Sequence, residues 1–263
     1  MFASIAFAII ARDRGEIEGL RGEYARARLE AAVEAGLARA IEGLAIDDPT
    51  QRWTIDGRLK VVDFEGVRLS ITIEDERGKA PMDNLTEEQV RRLFTAAGAS
   101  GDRLEVLVDA YQDWLDDDDA PRSHGAEAPQ YAAQGLRPRN GVPVTVEELI
   151  HLRGMDRVIL ARIKPALAPN FGISGPFNAA TASPIALQVM AAGAEDSPEV
   201  LERQKELSGE RPAFGIIQEP SLAGRALTVV VRARNRDGGT LERRTVVELT
   251  GRNDPAFYVR QLD

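Results

Sequence analysis

AYQDWLDDDDAPRSHGAEAPQY, residues 110–131, closes a helical pattern on five carboxylates in seven positions: Asp113, Asp116, Asp117, Asp118 and Asp119. Glu127 follows after a turn of Pro, Ser and Gly. Charges this close repel one another unless water, basic side chains or a cation compensates them. Ca²⁺ suits such a set, being a hard ion that takes about six to eight oxygens in flexible geometry. A solvated acidic loop is the plain alternative, because loops carry charge routinely.

The helix that delivers this loop is marked by Leu104, Leu107, Val108, Tyr111 and Leu115, whose three-and-four spacing predicts one buried face from Asp102 onward. That phase puts Trp114 at the border of the stripe and Asp113 away from it. Aspartates at a helix C-terminus oppose the helix dipole. With nothing adjacent to offset this cost, a bound cation gains weight over a bare loop.

Working upstream, Thr86 and Gln89 form a capping box for a helix with Val90, Leu93 and Phe94 on its buried side, closed by Gly98. Before it, Val67, Leu69, Ile71 and Ile73 alternate with polar residues as a strand does. The Asp56–Gly57 pair predicts a hairpin turn between short apolar stretches. A long N-terminal helix runs to about Leu44, with Leu29, Val33, Leu37 and Ile41 on one side, and Pro49 breaks the chain after it. Its first segment, Phe2–Ala11, is apolar over ten residues, about half of what a bilayer span needs.

Downstream, Thr145 with Glu148 predicts another capping box, Val146, Leu149 and Leu152 an apolar face, and Arg153–Gly154–Met155 a tight turn. Asp156 caps the next helix, with Val158, Ile159, Ile163 and Leu167 as its core side. Two short helices about a glycine turn can hold DNA phosphates, but a single glycine followed by an aspartate favours a structural hairpin. Ser183 and Pro184 start a later helix through Leu187 and Met190, and Ser197–Pro198 start a polar one to about Leu207. The C-terminal part returns to strands: Leu227, Val229, Val231 and Ala233, a turn at Asp237–Gly238–Gly239, then Thr245, Val247 and Leu249, paired with the sheet of Val67–Ile73.

Composition narrows the chemistry. The 263 residues carry a net charge of −9, which disfavours a broad nucleic-acid surface. Cysteine is absent and only His124 and His151 are present, so thiol catalysis and a histidine-rich metal site are out of reach. No phosphate loop, nucleophile elbow or HExxH is present. The enzymatic alternative is an Mg²⁺-dependent phosphoryl-transfer hydrolase using the acidic cluster. His124 beside it has the chemistry of a general base, but an exposed loop histidine is the favoured reading.

Several motifs in order carry a specific resemblance: Asp109–Ala110, Asp113–Trp114–Leu115–Asp116, Asp118, Arg122, Gly125–Ala126–Glu127, Tyr131, Arg139–Asn140–Gly141, VEELIHLRGM at 146–155 and FNAATASPIAL at 177–187. Together they resemble general secretion pathway protein K, the family of the largest minor pseudopilins of the type II secretion system. The resemblance implies an α+β, type IV pilin-like fold with a large α-helical insertion. Residues 1–44 would be the pilin helix, 45–77 and 211–263 the pilin-like domain, and 78–210 the insertion. It also implies a non-enzymatic subunit at the pseudopilus tip, assembled with minor pseudopilins I and J to support export across the outer membrane. The N-terminal helix would sit in the inner membrane or pseudopilus core, with the folded domain in the periplasm. The ligands it implies for a structural Ca²⁺ are Asp113, Asp116, Asp118 and Glu127, with Asp117 and Asp119 in reserve and backbone carbonyls near Arg122 or His124 completing the shell. Trp114 and Tyr131 would pack behind the ion. Pilin-like proteins carry a basic leader, a cleavage site ending in Gly and about twenty apolar residues. Met1 precedes only ten here, so a truncated or misassigned start is expected, or else a copy that cannot enter a membrane normally. FNAATAS also lacks the cleaner Asn-Thr-Ala-Pro alternation of the family.

Overall fold

A computed structural model describes residues 2–48, 50–169, 176–191, 198–207, 209, 221–252 and 255–262, with side chains of the first helix from residue 19 and of the last strand to residue 260. Helix α1 (Phe2–Leu44) leads to strands β1 (Lys60–Phe64), β2 (Val67–Asp75) and β3 (Ala80–Pro81). Helices α2 (Glu87–Ala96), α3 (Gly101–Leu115) and α4 (Ala128–Ala132) follow, then a 3₁₀ turn at Val146–His151, α5 (Arg157–Ile163) and β4 (Leu167–Ala168). After a 3₁₀ turn at Ala179–Thr181 come α6 (Pro184–Met190), α7 (Pro198–Leu207), β5 (Ala226–Arg234), β6 (Thr240–Leu249) and β7 (Phe257–Leu262). Pro49 and Ser197 lie outside the described residues.

The chain divides into two compact units: Met1–Ile73 with Leu227–Val247 and Phe257–Asp263, and Glu74–Ala226 with Glu248–Ala256. In the first, one face of α1 buries Leu29, Val33, Leu37, Ile41 and Leu44. At Gly36 the helix comes so close to the sheet that an added Cβ would lie 2.5 Å from Val231 Cγ1. The sheet has the order β1-β2-β5-β6-β7. Its inward positions Leu69, Ile71, Leu227, Val229 and Val231 are all buried, as period-two alternation requires. Strands β2 and β5 are neighbours although some 150 residues separate them, so the intervening chain is an insertion between adjacent strands.

The first hairpin is not where the sequence places it. Its two-residue turn is Glu65–Gly66, joining β1 and β2 with Phe64 opposite Val67. Both turn residues are left-handed, with φ of 49° and 79°, the geometry that suits the twist of flanking strands. The Gly66 N–H donates to Asp63 Oδ1 at 3.1 Å. Asp56–Gly57 does turn the chain, but the Gly57 N–H donates to the Ile73 carbonyl at 2.9 Å, which docks it beside the end of β2 and leaves it no hairpin to close.

In the second unit α2 packs on α3 and α6 around Val90, Leu93, Phe94, Leu107, Val108, Tyr111 and Val189. The Thr86–Gln89 capping box forms as expected. The Tyr111 hydroxyl donates to the Met82 carbonyl at 2.7 Å, and burial pushes its phenol well above the ordinary range. The Thr145–Glu148 box does not form: Thr145 makes no side-chain cap, because Glu148 pairs with Arg139 through two 2.9 Å contacts. The segment it would start is a 3₁₀ helix, and Val158 is 58% exposed, leaving Ile159 and Ile163 as the buried side of α5. The Gly154 carbonyl accepts from Arg103 at 3.0 Å, so the turn of this helical pair is spent on α3.

One carboxylate ties the unit together. Asp75 is buried, and its Oδ2 accepts from Arg225 Nη2 at 2.6 Å, Asn178 Nδ2 at 2.9 Å and Thr181 Oγ1 at 3.3 Å. Beside it Lys79 lies between Glu76 (2.6 Å) and Glu74 (3.0 Å). Burial pulls the Lys79 ammonium down, but the charges of Glu76 and then Glu74 outweigh this and hold it above the usual lysine value. Gly78 lets the two segments touch: a Cβ there would sit 2.8 Å from the backbone carbonyl of Thr181. Gly78→Ala is therefore expected to cost about 1–3 kcal/mol in urea unfolding, since backbone cannot rotate out of the way. An unchanged midpoint would refute the contact.

Candidate metal centre

Helix α3 ends at Leu115, and Asp116 leaves it extended with its N–H on the Gln112 carbonyl at 3.0 Å. Asp113, expected off the buried stripe, is 0% exposed and faces inward. Its partner is Arg122, whose backbone N–H reaches Asp113 Oδ2 at 3.1 Å and whose Nη1 lies 3.1 Å from Asp113 Oδ1 and 2.8 Å from Asp116 Oδ2. The cost of carboxylates at a helix C-terminus thus has a local offset that the sequence reading did not assign. Burial raises the Asp113 pKa, and the hydrogen bonds and charge of Arg122 work against it.

The return strand of the loop is shaped by the same carboxylate. The Gly125 N–H donates to the Arg122 carbonyl at 3.1 Å, and a Cβ on Gly125 would fall 1.8 Å from Asp113 Oδ2. Only glycine fits there. Arg153 holds the Gly125 carbonyl from the far side at 2.9 Å, and its own N–H donates to the Tyr131 hydroxyl at 3.1 Å. Trp114 meets Tyr131 edge to face at 5.3 Å between ring centroids, and both rings are buried.

Into this frame comes Glu127, 0% exposed. Its N–H donates to Gln130 Oε1 at 3.0 Å, but neither carboxylate oxygen has a partner among the described residues, and Asp116 Oδ1 is likewise bare. Asp116, Asp118 and Glu127 each offer an oxygen within 4.8 Å of the others. Asp118 is fixed from two sides, its Oδ1 accepting from the Ala120 N–H at 2.8 Å and its carbonyl from Asn140 Nδ2 at 3.1 Å. Three of the four residues expected as ligands therefore converge, while Asp113 is taken by Arg122. Asp117 and Asp119 are exposed and outside the cluster. His124 is exposed too, and its backbone N–H donates to Asp109 Oδ2 at 2.9 Å.

A buried carboxylate without a donor is costly as an anion. Burial first, then the charges of Asp113, Asp116, Asp119 and Asp118, push Glu127 to about 7 from an ordinary 4.5. The folded metal-free protein then binds a proton that the unfolded chain releases over this interval. Its stability should fall as pH rises from about 4.5 to about 7 and level off above. Urea unfolding in chelator across that range reads the slope, and Glu127→Gln should remove most of it. A profile unaffected by the substitution would contradict a bare, buried Glu127.

The family described as type II secretion system (T2SS), protein K, matches residues 68–168, a span that contains the whole acidic cluster. Type II secretion system protein K of Dickeya chrysanthemi is 34% identical over 87 residues, covering 30% of this chain and 24% of that protein. The chain thus spans about a quarter of the length of the curated relative it matches. The crystal structure of the GspK-GspI-GspJ complex from the enterotoxigenic Escherichia coli type 2 secretion system aligns with a TM-score of 0.62 at 12% identity. That alignment covers 92% of this chain and 98% of the other, and it makes the α+β architecture the pilin-like one. Residues 68–168, with the acidic cluster inside them, are thus similar to the type II secretion system protein K family.

Proposed function

We propose that this chain is a minor pseudopilin at the tip of a type II secretion pseudopilus, where it assembles with minor pseudopilins I and J to support export across the outer membrane. The observation that carries this reading is the protein K match over the segment holding the acidic loop, on a fold shared along nearly the whole chain with a GspK solved together with GspI and GspJ. The folded part would work on the periplasmic side of the inner membrane, with α1 leading into the membrane or the pseudopilus core. Among the described residues no helix is long and apolar enough to cross a membrane. The apolar Phe2–Ala11 would supply about half of such a span.

The acidic loop would hold a structural Ca²⁺ through Asp116, Asp118 and Glu127. All-oxygen donors suit a hard cation, and three carboxylates plus backbone carbonyls and water suit Ca²⁺ better than Mg²⁺, which keeps its waters and takes about one or two carboxylates. The bare oxygens of the buried Glu127 support this, since a cation is what would let that residue stay ionised. Asp113, held by Arg122, would position the loop by fixing its two ends. The role proposed for these carboxylates is structural, with no reaction assigned to them.

Mixing the purified chain with the cognate I and J pseudopilins should give a ternary complex on size-exclusion chromatography, and separate elution of all three would sink the assignment. Independently, Ca²⁺ should raise the melting temperature over chelator, by about 2.7 kcal/mol of added stability at a hundredfold excess over Kd. Asp118→Ala and Glu127→Gln should each abolish most of that shift. A wild-type melt indifferent to Ca²⁺ would rule out the ion.

A further inference from the structure

A shallow depression of about 290 Å³ opens in the second unit, lined by Ala126, Gln130, Tyr131, Gln134 and Arg153. Ala126 and Tyr131 are buried, the other three are exposed, and no carboxylate side chain lines it. Its acceptors are already engaged within the fold. Gln130 Oε1 accepts from the Glu127 N–H at 3.0 Å, and the Tyr131 hydroxyl oxygen accepts from the Arg153 N–H at 3.1 Å. The first contact orients the Gln130 amide so that Nε2 is left over, and the second leaves the tyrosine O–H to donate. Arg153 Nη1 donates to the Gly125 carbonyl at 2.9 Å, which holds the guanidinium in place. Its other guanidinium N–H groups have no partner, and it forms no ion pair, among the described residues. The side-chain amide of Gln134 is likewise unengaged there.

What the depression presents is a set of donors around one held guanidinium. That set suits a planar monoanion, since a guanidinium fork meets both oxygens of a carboxylate and neutral amides add donors without charge. A phosphate dianion fits less well. Glu127 follows Ala126 in the chain, and the aspartates gathered with it repel two charges more than one. An open depression this small takes a group projecting from a larger molecule, whereas sites for free small molecules enclose most of their ligand. We propose that it is a carboxylate-binding site for a peptide segment, with Arg153 as the anchor and Gln130, Tyr131 and Gln134 as further donors. A chain terminus and an acidic side chain share this chemistry.

The test is titration of the isotope-labelled full chain in calcium buffer, followed by NMR through the Arg153 Nε–H and the side-chain amides of Gln130 and Gln134. The probes are N-acetyl-tetraalanine as the free acid, its C-terminal amide, and that amide with one alanine replaced by glutamate. The free acid, the glutamate-bearing amide or both should shift these signals saturably, and whichever does so identifies the source of the carboxylate. The neutral amide should leave them unmoved. Gln134→Glu puts a carboxylate into the depression on an exposed side chain that bonds to nothing among the described residues. Its melting temperature should match wild type, and its affinity should fall by about tenfold or more. Gln134→Lys should bind at least as tightly as wild type. If Gln134→Glu melts early, Arg153→Lys, which keeps the charge and loses the fork, takes its place with the same expected loss. The site would be overturned by no saturable shift with either carboxylate probe, by equal binding of the neutral amide, or by tighter binding of inorganic phosphate. An affinity of Gln134→Glu within about twofold of wild type would overturn it as well.

Discussion

The buried carboxylate of Asp75 is the constraint on which the second unit depends. It stands at the end of β2 and gathers partners 103, 106 and 150 residues away. Each partner does a different job. Arg225 stands immediately before β5, Asn178 caps the 3₁₀ turn that precedes α6, and Thr181 belongs to that turn. A buried ion pair gives little net stability, but removing one member leaves an uncompensated charge and costs about 3–5 kcal/mol. Its contribution is specificity of closure, because the three donors to this buried carboxylate come from segments far apart in the chain and meet only when all of them are in place.

The acidic loop follows the opposite logic. At Asp75 the donors are complete, whereas at Glu127 they are missing and the residue is no less buried. Asp113 lies between these cases, charged, buried and matched by Arg122 from both its backbone and its side chain. A run that looks uniform in sequence is therefore divided by the fold: one carboxylate is satisfied by protein, three converge with oxygens to spare, and two face water. The arginine and the glycine make that division. Arg122 draws the chain back toward α3, and Gly125 allows it to pass the Asp113 carboxylate without a side chain in the way.

Much of this was legible in the sequence where a local rule sufficed. The Thr86 and Ser183 caps, the alternation of β2 and β5 and the stripe of α1 each depend on neighbours within a turn or a strand, and each formed. The misses share a cause, which is a distant partner outcompeting a local signal. Asp56–Gly57 is the stronger hairpin signal, yet Glu65–Gly66 makes the turn because the register of β1 on β2 aligns there. Glu148 leaves its capping box for Arg139. Asp113 falls on the polar side of a helical-wheel reading, and becomes buried because a segment nine residues on folds over it. Strand β7 carries too short and mixed a pattern to announce itself, and gains its place from the edge of the sheet.

The insertion between β2 and β5 also bears on how the sheet can be assembled. Closing a flexible loop of some 150 residues costs only about 2.4 kcal/mol more than closing one of ten, since the penalty grows with the logarithm of length. Even that cost falls away once the inserted unit has folded, because Asp75 and Arg225 are then 2.6 Å apart and present the two strand ends already side by side. The longest-range pairing in the sheet is thereby converted into a local one. The inserted unit is, in kinetic terms, the turn of a very large hairpin.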